Sequence, residues 1–204
     1  MVAKMTNKTE IFNDVCLLLG ITPDIQDADT DDGDNAVAFR AAYSGSRRTV
    51  LRDHPWGFAN KRAVLTVIGT APSDWKYQYA YPADCVKAIE IQKANRTDKP
   101  IPFKVAQYYD TDNGKVKVIL TDQPEAILIY TADEDDPSLF DEQYKDALVG
   151  LIAFKCSKLR STDKDAQERA WNAYQRAKFA ATSSDGNEQV PDDGRDPDWL
   201  SGRN

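Results

Sequence analysis

The stretch His54-Pro55-Trp56-Gly57-Phe58-Ala59-Asn60-Lys61-Arg62-Ala63-Val64-Leu65-Thr66-Val67-Ile68 decides the fold. Upstream of it, apolar residues recur at helical spacing; from Arg62 onward the period changes to that of a strand. Pro55 cannot continue a helix, and it forces His54 out of helical geometry. Ala63 to Ile68 reads as a strand. Pro55, Trp56 and Phe58 stand between the two periods. They are read as an aromatic corner, a hydrophobic plug that joins a helical part to a β unit. His54 is the single histidine, and no Cys or Ser lies near it in a nucleophile context.

Working back from the corner, Ala36, Phe39, Tyr43, Ser46 and Val50 form the apolar stripe of a helix from about Asn35 to Asp53, with Asp34 as its expected N-cap. Residues 24–34, DIQDADTDDGD, hold six aspartates. They lack the calcium-loop spacing with a glutamate at the twelfth position, so a solvated loop is expected. An earlier helix runs from about Thr9 to Leu19 on Ile11, Val15, Leu18 and Leu19. Thr6 or Asn7 starts it and Gly20 ends it.

Working forward, Trp75, Tyr77, Tyr79 and Tyr81 alternate with polar residues, as in a strand with one aromatic face. Val86–Ile91, Phe103–Val105, Val116–Leu120 and Ala126–Thr131 add short strands, and Asp112-Asn113-Gly114 marks a hairpin. Helical spacing returns after Asp136-Pro137-Ser138 with Phe140, Tyr144, Ala147, Leu148, Leu151, Lys155, Cys156 and Leu159. A final helix from Lys164 to about Thr182 repeats alanine, which permits close helix approach. The expected fold is α+β. A four-helix part, two N-terminal and two C-terminal helices, has a small mainly antiparallel β unit inserted, and an extended tail follows. The divisions are 1–60 (N-terminal helical part), 61–135 (β unit), 136–184 (C-terminal helical hairpin) and 185–204 (arm).

At 204 residues the chain is long enough to bury a sizeable core. Three distant cysteines, Cys16, Cys85 and Cys156, form neither a disulfide framework nor a zinc motif, and suit a reducing compartment. No apolar run reaches the roughly 20 residues of a membrane span, and no secretory leader is expected. No phosphate-loop, dinucleotide or nucleophile-elbow motif occurs. A cofactor is not expected.

The net charge of −7 is unevenly placed. Residues 1–34 carry 8 acids and 2 bases, and residues 185–204 carry 6 acids and 2 bases. The body between them is slightly basic. Arg40, Arg47, Arg48 and Arg52 head a basic stretch that fits an inter-subunit surface, a channel lining or a solvated helix face. In the arm, Asp192, Asp193, Asp196 and Asp198 suit a basic surface, and Trp199 and Leu200 are its large apolar anchors. A docking arm ordered by a partner is the expectation.

Several blocks then carry a resemblance in their order along the chain. They are Thr9-Glu10-Ile11-Phe12-Asn13, the helix with Tyr43, Arg47 and Leu51, and His54-Pro55-Trp56-Gly57-Phe58-Ala59. Trp75 with Tyr79-Ala80-Tyr81-Pro82-Ala83-Asp84-Cys85 follows, then Ile127-Leu128-Ile129-Tyr130-Thr131 and Pro137-Ser138-Leu139-Phe140-Asp141. Over about residues 9–184 the chain resembles the head-to-tail adaptors of short-tailed bacteriophages, the tail tubular protein A family. The resemblance implies a non-enzymatic virion protein, assembled in the host cytoplasm into a ring, commonly of twelve copies, under the portal protein. It implies a tail nozzle protein and tail fibres or spikes as further partners. Packaged DNA would pass through the channel without sequence-specific binding, and no membrane is involved. Two other classes compete with this reading. A tail-associated peptidoglycan hydrolase would need a carboxylate pair drawn from Glu10, Asp14, Asp84, Glu90 or Glu142, and nothing in the spacing pairs them. A small DNA-binding helical module rests on the 40–62 bases alone, against an acidic whole-chain balance.

Overall fold

The computed structural model describes residues 7–93, 99–110, 114–161 and 163–188. The arm residues Asp192, Asp193, Asp196, Asp198, Trp199 and Leu200 lie outside the described residues, as do Asp112 and Asn113 of the hairpin loop.

Helix α1 spans Lys8–Leu19. Asn7 and Glu10 cap each other's backbone N–H groups, and Gly20 closes the helix at φ 72°, where a side chain would be strained. Ile11, Phe12, Val15, Cys16 and Leu19 are buried. Helix α2 spans Asp34–Asp53, and the whole expected stripe is buried. Its N-cap is Gly33, not Asp34, and no side chain caps it. The Asp31 carboxylate instead accepts from Gly33 N at 2.8 Å, one turn of chain too early to cap the helix. The aspartate loop is exposed over most of its length but is pinned at two positions. Ile25 and Ala28 are buried, and Asn13 bonds both polar backbone groups of Ile25.

Among the described residues six strands follow: β1 (Asn60–Val64), β2 (Tyr77–Ala80), β3 (Cys85–Ile91), β4 (Phe103–Asp110), β5 (Gly114–Thr121) and β6 (Ile127–Ala132). They form two three-stranded antiparallel sheets, ordered β1-β6-β3 and β2-β5-β4. The expected strand through Ile68 therefore stops at Val64. Leu65 N donates to Ala126 O, and Val67 bridges to Tyr79, so residues 65–68 carry the chain from one sheet to the other. A second core lies between the sheets, built on Leu65, Tyr79, Ile91, Ile119, Leu128 and Tyr130.

A 3₁₀ turn, Pro137–Leu139, precedes α3 (Glu142–Arg160). The helix expected directly after Pro137 is thus split, because Asp141 takes the N-cap and accepts from Tyr144 N at 2.7 Å. Helix α3 is the central one, packed on α1, α2 and α4 and buried around most of its girth. Its stripe ends at Ser157; Lys155 and Leu159, expected to face inward, are exposed. Helix α4, Ala166–Glu188, runs further than the expected Thr182. It packs closely on α3. A methyl group on Gly150 would stand 2.7 Å from Tyr174 N, so the glycine sets the approach of the two helices. The chain is α+β, with N- and C-terminal helices sharing one core and the paired sheets inserted between them.

Candidate functional site

The four α2 arginines differ in what they hold. Arg40 donates to Ala28 O and Asp31 O and so anchors the aspartate loop. Arg47 is 7% exposed; it donates to Glu134 O and pairs with Asp133 Oδ1 at 2.8 Å. That contact is an ion pair whose N–H is not aligned as a hydrogen bond, since Asp133 Oδ1 gains none. Arg48 grips Asp133 Oδ2 from the solvent side, with Nε at 2.8 Å. Arg52 donates to Val86 O at 2.6 Å. The basic stretch read from sequence thus divides: Arg40 and Arg47 turn inward as staples, and Arg48 and Arg52 remain on the surface.

The corner is built inward as well. Trp56 is 2% exposed, and its Nε1 donates to Val50 O at 2.8 Å. Its ring meets Tyr144 edge-on at 5.1 Å and His54 at 4.9 Å. Phe58 is half-buried against Tyr144 and Phe140, and Pro55 is exposed. Both aromatic rings belong to the helical core, while the chain they sit on leads into β1.

Where α2 meets the β unit, an open groove of about 490 Å³ is lined by Arg48, Arg52, Tyr81, Cys85, Val116 and Lys117, with Pro82–Val86 as its floor. That volume falls in the range of about 300–1,000 Å³ typical of ligand sites. Lys117 Nζ lies 5.5 Å from the Tyr81 ring centroid. The two groove carboxylates are already engaged. Asp84 accepts from Tyr130 Oη at 2.9 Å and pairs with Lys61, and Asp133 holds Arg47 and Arg48. Burial pushes the Cys85 thiol above its ordinary range, with the Tyr81 hydroxyl bond opposing. The thiolate that a nucleophile needs is therefore disfavoured. The sequence marks Tyr81-Pro82-Ala83-Asp84 as a turn, and its order along the chain carries part of the resemblance, but neither points to a groove. The turn's meeting with Arg48, Arg52 and Lys117 depends on the register of β5 and on α2 packing, and no local signal reveals it.

Of the carboxylates a hydrolase would draw on, Glu10, Asp14 and Glu142 share the surroundings of Lys145, while Asp84 stands elsewhere. Glu10 serves the α1 cap, Asp14 pairs with Lys145 at 3.2 Å, and Asp84 lies at the groove. Among the described residues, no group of three or more His, Cys, Asp or Glu side chains is placed to hold a metal, and no helix is long and apolar enough to cross a membrane. Comparison with known proteins finds no matching family model and no matching curated relative.

Proposed function

We propose that this chain is a structural virion protein, a head-to-tail adaptor subunit that forms a ring beneath a portal at the capsid vertex. In this reading the ring extends the DNA channel, helps retain the genome, and offers a docking surface to a tail nozzle and to fibres or spikes. Its role is mechanical rather than catalytic. The observation that carries it is large apolar side chains left in solvent on both halves of the molecule. Val64 and Val67 are 71% and 60% exposed at the β unit, and Leu159 and Phe179 are 77% and 76% exposed on the helices. A closed ring of one protein needs two different contact surfaces per subunit, and apolar side chains on separate elements suit that requirement. The ordered blocks that resemble phage adaptors, from Thr9 to the alanine-rich last helix, support the same reading. Negative-stain imaging of the protein mixed with its portal tests it. Rings seated on the portal are expected. Protein that stays unassembled beside intact portal, or that clears a peptidoglycan suspension, would overturn it.

A further inference from the structure

The groove between α2 and the 81–86 turn has charge to spare. Its carboxylates, Asp84 and Asp133, are neutralised by Lys61, Arg47 and Arg48, with Tyr130 bonded to Asp84. Among the described residues, no carboxylate pairs with Arg52 or Lys117. Arg52 spends one nitrogen on a carbonyl and Lys117 stands over the Tyr81 ring. Beside these two cations the lining is mixed: Tyr81, Pro82, Ala83, Val86 and Val116 offer apolar surface next to the engaged Arg48, Asp84 and Asp133. A site of this kind suits a short acidic peptide with a hydrophobic anchor. Residues 192–200, Asp-Asp-Gly-Arg-Asp-Pro-Asp-Trp-Leu, have that chemistry: four aspartates against Arg195, ending in Trp199 and Leu200.

We propose that this groove seats residues 192–200 of a second copy of the chain. The carboxylates meet Arg52 and Lys117, and the Trp199 ring lies against Tyr81 and the valines. The choice of a second copy rests on the ring reading above, which requires a surface that differs from the one it binds. The span from Glu188 to Trp199 reaches roughly 35 Å when extended, enough to cross onto a neighbouring subunit. An arm placed in the neighbour's groove at every step would link the subunits head to tail around a ring.

Cys85 lines the groove and supplies the reporter; because burial raises its pKa, the reaction is run at mildly alkaline pH, and a mono-maleimide first confirms that Cys85 is labelled. One full-length chain carries Ser201→Cys and Cys85→Ser, and it is mixed at high concentration with full-length wild type and a short bis-maleimide. Irreversible trapping accumulates even a weak encounter, and Cys16 and Cys156 are buried. The expected product joins position 201 of one chain to Cys85 of the other, located by peptide mass mapping. Lys117→Glu in the acceptor, or Trp199→Ala in the donor, is expected to lower its yield about tenfold, with thermal melts confirming that each variant is folded. Raised salt gives the same loss without any substitution. No link to Cys85 overturns the proposal, as does a link that ignores both salt and Lys117→Glu. A chain with Ser201→Cys alone that links only within itself on dilution shows the arm in its own groove and also overturns it. So does short duplex DNA that binds the groove and abolishes the link. Linkage without rings on the portal leaves this inference standing and removes the adaptor reading; rings without linkage do the reverse.

Discussion

At the scale of the residue, two positions set the packing of the helical body. Trp56 fills the space between the end of α2 and Tyr144, with its one polar atom satisfied by Val50 O. Trp56→Ala is expected to cost about 3–5 kcal/mol, as for other buried aromatics, read as a shift in a denaturant melt with unchanged slope. A loss below about 1 kcal/mol would mean that the corner is not a core element. Gly150 works by absence. Its missing Cβ lets the Tyr174 backbone approach, and backbone cannot swing aside as a flexible side chain can. Gly150→Ala improves helix propensity by about 1 kcal/mol in isolation. The overlap is expected to outweigh that gain, for a net loss of about 1–3 kcal/mol. A melt showing stabilisation would place α3 and α4 further apart. Pro55 and its aromatic neighbours were legible in the sequence because proline fixes its own backbone. Gly150 was not, because a glycine inside a helix does not say which neighbour needs the room.

At the scale of the element, α2 is fastened to the β unit by unequal charges. Arg47 and Arg48 grip the same Asp133, at the end of β6, but Arg47 does so in the interior and Arg48 from solvent. Arg47→Ala leaves Asp133, 14% exposed, with its inner oxygen unpaired, and is expected to cost about 3–5 kcal/mol. Arg48→Ala removes a screened pair that is 62% exposed on the arginine side, and is expected to shift the melt far less than Arg47→Ala does. Urea melts of both variants check the contrast, and equal losses would show that burial does not decide it. From sequence the two arginines were indistinguishable members of one basic stretch, since neighbouring helical positions point about 100° apart and only tertiary packing picks the inner one. The helices themselves were legible, because the Ile11–Leu19 and Ala36–Val50 stripes coincide with buried faces. The strand expected through Ile68 stops short for a related reason. Val64 to Val67 is locally strand-like, but the chain changes sheets there, and that is decided by pairing with Ala126 and Tyr79. The groove escaped sequence reading for the same cause: its walls come from α2, β5 and the turn before β3.

At the scale of the whole molecule, tyrosines tie the elements together and set an alkaline limit. Tyr43, Tyr81, Tyr130, Tyr144 and Tyr174 all have hydroxyl pKa values raised, burial being the first cause in each. For Tyr43 and Tyr130 the rise is from 10.0 to about 12. The folded chain then holds these protons more tightly than the unfolded chain does. Their contribution is fully present below pH 10 and is lost as pH climbs toward about 12. Unfolding is expected to begin in that window, with phenolate absorbance rising in step with loss of helical circular dichroism. Absorbance that rises well before the structure is lost would show that these hydroxyls titrate freely. The same whole-molecule view governs assembly. The acidic ends repel one another between copies, and the exposed apolar side chains are spread over several elements rather than gathered in one run. A single lateral contact is therefore weak, and a template that holds many copies at once multiplies it through effective concentration. The isolated protein is expected to be largely monomeric at micromolar concentration by light scattering, and to form rings once portal is added. A stable ring in the absence of portal would show that the lateral contacts suffice alone, and would move the control of assembly from the template to the subunit.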